Sequence, residues 1–274
     1  MTEKKFEHVK IEKNEEGNYA IISINRSEKL NAMQIQTLRE IAEALESMEL
    51  DNSVRCIVLR GTKDFTKKPS FSVGADLSAR VDSKLDLNNI RHRNYAMNLK
   101  HKYYNLIEQF PKPIIAAVDG FALGGGLELV LVCDLVIASK RSQFGFPEIK
   151  RGIFPSNGGT QRMIRHFGKM KVNRMMYFGE HFTAEQMNEW GFISFLVNDD
   201  NFEEFVHEKA SWLGNAATNT LFVIKKCVQH GTQVPLNVGL QFEHWGYAVN
   251  ATSKDVKEGI GAFLQKRTPK FIGE

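Results

Sequence analysis

The stretch that decides the fold is AVDGFALGGGLE, residues 117–128, in which three consecutive glycines separate a strand pattern from a helix pattern. Each glycine inside a helix costs roughly 1 kcal/mol relative to alanine, so three at a helix entrance need a reason. One reason is the close approach of a ligand to bare backbone N–H groups at the positive end of a helix. The other is a tight turn with close packing, and the glycines alone favour neither. A phosphate-binding P-loop is excluded because its Gly-Lys-Ser/Thr ending is missing.

Strand and helix patterns alternate on both sides of this stretch. Strand, helix and strand in this order predict an α/β fold with buried parallel strands. The predicted strands are 8–12 and 19–25, which form a hairpin, then 56–60, 114–118, 134–139 and 193–197. The predicted helices are 34–50, 86–110, 127–132, 158–167, 171–177, 183–190, 202–213, 218–230, 236–250 and 253–265. The helices near the C-terminus are amphipathic, so we expect them to dock on the core or on another subunit.

Length and composition indicate a globular protein. The 274 residues fit one large domain or a domain with an appendage, and 42% hydrophobic with 25% charged residues is ordinary for that class. No run approaches the ~18 to 20 apolar residues that a membrane helix needs. Residues 1–10 mix glutamates with lysines, which fits neither a signal peptide nor a transit peptide. We therefore expect a cytoplasmic protein without a membrane partner.

Charge and cysteine content exclude further classes. The net charge of +4 is spread along the chain, and the densest basic run, Arg91-His92-Arg93, is interpreted as a solvated helix face. A nucleic-acid partner is therefore not expected, whereas a ligand with several phosphates would suit the mild basic excess. The three cysteines argue against a disulfide framework, and none has a second cysteine or a histidine at metal-ligand spacing.

A second glycine motif is FSVGADL, residues 71–77. Gly74 is followed by the small residue Ala75, which exposes a backbone N–H group. A turn explains this motif when it is taken alone. Together with Gly125 it could provide two N–H donors to one oxygen, which is an oxyanion hole typically worth ~2.7–4 kcal/mol per donor.

Two glutamates lie in apolar surroundings. Glu148 stands in FGFPEI, residues 144–149, and Glu128 follows the three glycines on an apolar helix. Desolvation raises the pKa of a carboxyl group, which would keep one glutamate protonated for general acid catalysis. Single glutamates are usually solvated surface residues. Two in apolar contexts beside a candidate oxyanion hole favour catalysis.

A fourth motif, PSNGGTQR at residues 155–162, predicts a helix start. Ser156 or Asn157 is the expected N-cap. Alternatively, the backbone or the hydroxyl of Ser156 orients a water molecule.

In this order the four motifs resemble the crotonase superfamily, and specifically enoyl-CoA hydratase. Residues 25–32 resemble the family segment that lines the coenzyme A site, and residues 258–267 resemble its Glu-Gly…Ala-Phe…Lys-Arg pattern. The resemblance covers nearly the whole chain. It implies a crotonase-like spiral of ββα units, with residues 1–200 as the core that holds the active site. Residues 201–274 would then be a helical region that trimerises, as a homotrimer or homohexamer, and completes the coenzyme A site.

The resemblance also implies roles for individual residues. Ala75 and Gly125 match the two backbone N–H donors of the oxyanion hole, and Glu128 and Glu148 match the two catalytic glutamates. No metal or redox cofactor is implied, since coenzyme A is part of the substrate. The residues implied to bind the substrate or its coenzyme A are Arg26, Lys29, Leu30, Ala32, Gly74, Asp76, Leu77, Gly124, Phe146, Ser156, Phe263 and Lys266.

The implied activity is reversible hydration of a short-chain trans-2-enoyl-CoA thioester, with crotonyl-CoA or 3-hydroxypropionyl-CoA as candidate substrates. Three positions depart from the family pattern. Phe146 replaces glutamine and is expected to shorten or dry the acyl pocket, Ser156 replaces glycine, and Ser78 replaces a lysine that contacts coenzyme A. Two other functions stay open, a Δ3-Δ2 enoyl-CoA isomerase and a non-catalytic homologue that binds acyl-CoA or RNA. The presence of both glutamates favours hydration.

Overall fold

Two sheets and ten helices make up the part of the chain that the computed structural model describes, which is residues 6–66, 68–78, 85–86 and 88–274. The prediction that residues 1–10 are neither a signal peptide nor a transit peptide falls partly on residues 1–5, which lie outside the described residues. The strands are β1 (Val9–Asn14), β2 (Tyr19–Ile24), β3 (Cys56–Gly61), β4 (Ser70–Ser72), β5 (Ile114–Val118), β6 (Phe121–Leu123), β7 (Leu135–Ser139), β8 (Gln143–Gly145), β9 (His181–Thr183) and β10 (Phe195–Val197). The helices are α1 (Ile35–Met48), α2 (Ile90–Gln109), α3 (Gly125–Val130), α4 (Gly159–His166), α5 (Lys169–Phe178), α6 (Ala184–Glu189), α7 (Phe202–Gly214), α8 (Thr218–Gly231), α9 (Leu236–Asn250) and α10 (Lys254–Leu264).

The larger sheet has six strands in the order β1-β2-β3-β5-β7-β10. β1 and β2 form the predicted antiparallel hairpin, and the strands from β2 to β10 run parallel. β2, β3 and β5 are buried along their whole length, because helices cover both faces of a parallel sheet. α1 and α2 contribute to the apolar core on one face, and α7 packs on the other. The predicted α/β fold is therefore confirmed.

A smaller sheet of four three-residue strands, in the order β4-β6-β8-β9, was not predicted from the sequence. β4, β6 and β8 pair in parallel, and β9 runs antiparallel to β8. Along the chain each of the first three follows a long strand directly, as β3 and β4, β5 and β6, and β7 and β8. A helix follows each pair: α2, α3, and then, after a short 3-10 turn at Pro147–Arg151, α4. These repeated units are the spiral that the resemblance implied.

The C-terminal helices differ in how they are covered. α7 packs on the larger sheet. The domain boundary predicted near residue 200 stays a prediction. α9 has no buried residue, and α8 to α10 carry many exposed large apolar side chains. These are Phe222, Ile224, Val228, Leu236, Leu240, Phe242, Trp245, Tyr247, Val249, Ile260, Phe263 and Leu264. Within the described ranges, no helix is both long enough and apolar enough to cross a membrane.

Candidate active site

The candidate site lies where three parallel strands of the smaller sheet end. Gly74 and Ala75 follow β4, Gly124 and Gly125 follow β6, and Glu148 follows β8. Ser72 pairs with Ala122, and Leu123 pairs with Gly145, so these strand ends are in register. Neighbouring strands of a sheet lie about 4.8 Å apart, which brings the residues that follow them together.

The predicted oxyanion donors lie next to each other. A β-carbon built on Gly125 would be 3.6 Å from the amide nitrogen of Ala75, and one built on Gly74 would be 2.9 Å from the amide nitrogen of Gly125. Gly74 has φ +95°, a conformation that favours glycine. Gly125 is the first residue of α3, whose first N–H groups have no partner inside the helix. Ala75 is held by hydrogen bonds on both sides of it, Met33 N to Gly74 O and Asp76 N to Met33 O.

The other two glycines of the triplet allow close approach. Gly124 has φ +54°, and a β-carbon there would lie 2.8 Å from Glu148 Oε1. A β-carbon on Gly126 would lie 2.3 Å from the carbonyl oxygen of Ser72. Gly124 therefore lets the Glu148 carboxyl group lie against the backbone, and Gly126 lets α3 pack on β4. Both interpretations of the glycine triplet, a bare backbone beside functional groups and close packing, describe part of it.

Glu128 is fixed by three N–H donors. Only 1% of its surface is exposed. Its Oε1 accepts hydrogen bonds from the backbone N–H groups of Asn157 (2.7 Å) and Gly159 (2.9 Å), and its Oε2 accepts one from Asn157 Nδ2 (2.6 Å). The predicted N-cap role of Ser156 or Asn157 is wrong. Gly158 is the N-cap of α4 and no side chain caps the helix, because the Asn157 side chain is turned to Glu128.

Glu148 has the opposite environment. It is the second residue of the 3-10 turn Pro147–Arg151, directly after Pro147. Burial raises its pKa to about 7, and the nearby charge of Glu128 adds to this increase. Its Oε2 is buried, and none of the residues that the structure describes forms a hydrogen bond with it. Glu148 can therefore carry a proton near neutral pH and offer it to a bound molecule.

A cavity of about 450 Å³ opens beside the oxyanion donors, and it is lined by Ala75, Gly125, Asn157 and side chains of α1 and α2. Tyr104 of α2 is completely buried at this cavity and donates a hydrogen bond of 2.9 Å to Gly125 O. The Glu128 carboxylate is bound by Asn157, which lines the cavity. The Glu148 carboxyl group is close to the backbone of Gly124, the residue before Gly125. The sequence did not indicate the roles of Tyr104 and Asn157, because the spacing of Tyr104 is that of an ordinary apolar helix face and Asn157 looked like a helix cap.

Several predicted coenzyme A residues form one connected cluster. Arg26 donates hydrogen bonds to Asp76 (2.9 Å) and to the carbonyl oxygen of Ala32. Hydrogen bonds from Ser78, Gln34 and Arg26 lower the pKa of Asp76. Lys29 Nζ lies 3.3 Å from Ser78 Oγ, so a lysine from another segment stands beside the position where the family has one. Leu30, with φ +51°, ends the short turn that presents Lys29.

Five further predicted residues are not part of the cavity lining. Phe146 is 0% exposed and belongs to the apolar core, so its side chain does not shorten the cavity by contact. Ser156 contributes its carbonyl oxygen to a contact of 2.6 Å with His101 Nε2. Phe263, 80% exposed, and Lys266, also exposed, lie at the end of α10. Leu77 stands between Asp76 and Ser78 in the chain, and its side chain is 65% exposed. The predicted substrate roles of these side chains stay predictions.

The chain is similar to known proteins over nearly its whole length. The family described as Enoyl-CoA hydratase/isomerase matches residues 14–274. The chain is 36% identical to the 2,3-dehydroadipyl-CoA hydratase of Escherichia coli over 92% of this chain and 94% of that protein. It is 32% identical to the short-chain-enoyl-CoA hydratase of Clostridium acetobutylicum over 92% of this chain and 93% of that one. A solved structure of an enoyl-CoA hydratase from Bacillus anthracis superimposes with a TM-score of 0.88 at 31% identity, covering 98% of this chain and all of that one. The chain therefore belongs to the crotonase superfamily of enoyl-CoA hydratases and isomerases, as an enzyme of the hydro-lyase type.

Proposed function

We propose that this enzyme reversibly adds water to short-chain trans-2-enoyl-CoA thioesters and forms 3-hydroxyacyl-CoA. The observation that carries the proposal is the pair of glutamates with contrasting environments on either side of two adjacent backbone N–H groups. The relative named for short-chain substrates supports the size class of the acyl group. Crotonyl-CoA and the smaller pair acryloyl-CoA and 3-hydroxypropionyl-CoA are the candidate substrates.

In the proposed mechanism the thioester oxygen accepts hydrogen bonds from Ala75 N–H and Gly125 N–H. These donors draw electron density from the conjugated double bond and stabilise the enolate that forms, which makes C3 electrophilic. Glu128, as the ionised carboxylate, takes a proton from the water molecule whose oxygen bonds to C3. Glu148, protonated because of its burial, transfers its proton to C2. Dehydration follows the same steps in reverse, and neither direction requires a metal or redox cofactor.

The cluster around Arg26 is proposed to hold the coenzyme A part of the substrate. Lys29 and Arg26 bring two cations to the loop that ends in Ala75 and Asp76. Arg26 is already paired with Asp76, so it mainly fixes this loop. Lys29 is exposed and has no carboxylate partner within the described residues, so it suits a phosphate group better.

A homotrimer or homohexamer is part of the proposal. The exposed apolar side chains of α8 to α10 support it, because large exposed apolar patches mark interaction surfaces. A mass of three or six chains in light scattering would agree with it, and a monomer at micromolar concentration would contradict it. A cytoplasmic location is also proposed. All three cysteines are free, which suits a reducing compartment.

The test uses the purified full chain with crotonyl-CoA. We expect loss of the enoyl-thioester absorbance and a product heavier by one water molecule. A parallel reaction with a 3-enoyl-CoA separates the isomerase function. Conversion of that substrate to the 2-enoyl form without any hydration of crotonyl-CoA would contradict the proposal in favour of the isomerase.

A further inference from the structure

We propose that Lys100 is a specificity-determining residue that restricts this enzyme to acyl groups that are short or that end in a polar group. The inference rests on the proposed function and names the feature that selects among its substrates. Nothing in the sequence motifs pointed to Lys100, which lies in the middle of α2.

The position of Lys100 is set by the contacts of α2. Tyr104, one turn further along the same helix face, donates its hydroxyl hydrogen to Gly125 O at 2.9 Å. His101 lies 2.6 Å from the carbonyl oxygen of Ser156, and Glu108 forms an ion pair with Arg162 of α4. Three contacts therefore hold α2 against the site, and Lys100 lines the same cavity as the two oxyanion donors.

If Glu128 acts at C3 as proposed, Lys100 lies at the acyl end of this cavity. The negative charge of Glu128 acts on its ammonium group, and the neighbouring residue His101 contacts the segment that donates to Glu128. Glu128 is proposed to act at C3 of the substrate, which is on the acyl side of the thioester carbonyl. The cations proposed for coenzyme A, Arg26 and Lys29, instead contact Asp76 and Ser78, which follow Ala75 in the chain.

Among the described residues no carboxylate is bonded to the Lys100 ammonium group, and the Glu128 carboxylate whose charge acts on it is already bound by Asn157 and Gly159. The Lys100 side chain is half-buried, and within the described ranges it has neither a hydrogen bond nor an ion pair. Burial lowers its pKa. Asp76 is the one carboxylate among the described lining residues, and its oxygens already accept hydrogen bonds from Arg26, Gln34 and Ser78. Arg39 of α1 adds a second, exposed cation to the lining.

These surroundings discriminate between acyl tails. A short tail such as that of crotonyl-CoA leaves water around the Lys100 ammonium group. A long apolar tail would remove that water, and burying an unpaired charge costs more than a few methylene groups gain by leaving water. A tail that ends in a carboxylate or hydroxyl group would replace the water with a hydrogen bond.

The test compares kcat/KM for crotonyl-CoA, 2-hexenoyl-CoA and 2-octenoyl-CoA in the wild type, Lys100→Met and Lys100→Arg. We expect Lys100→Met to raise the octenoyl-to-crotonyl ratio by about tenfold or more, and Lys100→Arg to keep the wild-type ratio. The matched control is Lys102→Met, an exposed lysine two residues along α2, which should leave the ratio unchanged. An unchanged ratio in Lys100→Met, or an equal increase in Lys102→Met, would overturn the proposal.

A second measurement isolates the charge. Two six-carbon 2-enoyl-CoA thioesters are compared, one ending in a methyl group and one in a carboxylate. The wild type should prefer the carboxylate, and Lys100→Met should lose that preference. A wild type that prefers the methyl end would overturn the inference. Because each ratio is measured on one protein sample, partial misfolding of a variant cancels. Absence of any hydration, even of crotonyl-CoA, would instead contradict the proposed function.

Discussion

The two glutamates of the site show how one local fold makes two carboxyl groups behave differently. Glu128 lies on a helix and is surrounded by N–H donors from the start of α4. Glu148 lies on a 3-10 turn, is pressed against a glycine backbone, and has an oxygen without a protein partner in the described residues. The difference supports the proposed roles, since the group rich in donors suits the ionised base and the desolvated group suits the acid.

The largest expected effect comes from removing either carboxyl group. Glu128→Gln and Glu148→Gln should each lower kcat for crotonyl-CoA hydration by about 10²–10⁴-fold, the usual contribution of a general acid or base. The rate is followed by the loss of enoyl absorbance. Glu185→Gln, which changes an exposed glutamate of α6, is the matched control. A variant at position 128 or 148 that keeps the wild-type rate would end the assignment of that residue.

The pH dependence should report on Glu148. Hydration needs its protonated form, and the protonated fraction declines as pH rises through about 7. We therefore expect kcat/KM for hydration to fall about tenfold per pH unit well above pH 7. Hydration takes up no net proton, so its equilibrium constant does not depend on pH. The kcat/KM for dehydration, which uses the same single proton placed on Glu128, should therefore fall above pH 7 in the same proportion. The assignment of the acid would be contradicted if hydration became faster from pH 7 to pH 9. It would also be contradicted if Glu148→Gln showed the same fall in kcat/KM above pH 7 as the wild type.

The donors around Glu128 can be weakened one at a time. Asn157→Ala removes the Nδ2 donor and leaves the backbone N–H of the same residue in place. A hydrogen bond to a charged group is worth about 1.5–3 kcal/mol, so kcat should fall about 10–100-fold. Gln161→Ala, on the exposed face of α4, is the control. A wild-type kcat in Asn157→Ala would show that the backbone donors suffice.

The smallest expected effect is on stability, and it differs in sign between the two sites. The pKa of Glu148 is higher in the folded chain than in the unfolded chain, so its contribution to stability is lost as pH rises from about 4.5 through about 7. As the pH rises from 5 to 8, the unfolding free energy of Glu148→Gln should therefore increase by about 1–3 kcal/mol relative to that of the wild type. Glu128→Gln should be destabilised throughout, because its amide would turn a donor toward Asn157 or Gly159. Urea denaturation at several pH values measures the unfolding free energy of both variants. Equal changes in the two variants would contradict the predicted difference between the sites.

The sequence allowed the larger sheet and the helices to be predicted, because their apolar residues are numerous and regularly spaced. The smaller sheet was missed, since three-residue strands such as β4 and β6 are too short to show a periodic pattern. The glycines that follow those strands were still recognised as unusual. The residues that contact the proposed catalytic groups were not recognised from the sequence. Asn157 reaches Glu128 across 29 residues and Tyr104 reaches Gly125 across 21, and such contacts arise only from the tertiary fold.

The cavity proposed to take the acyl group shows the same limit. Phe146 was expected to shape it because it is bulky and replaces a polar residue. It is fully buried in the core, and the side chains that do line the cavity come from α1 and α2. Their position depends on how α2 docks, which the Tyr104 and Arg162 contacts decide. Helix periodicity predicts that α2 exists but not which of its polar residues faces the substrate.

The proposed oxyanion donors are main-chain N–H groups, so mutation affects them differently from side chains. No codon change other than one to proline deletes a backbone N–H. The proposed polarisation of a thioester by Ala75 and Gly125 is therefore inherited with the fold itself. The carboxyl groups at 128 and 148 and the ammonium group at 100 each depend on a single codon. Mutation can thus alter which proton moves, or which acyl group enters, while the chain keeps its capacity to activate a thioester.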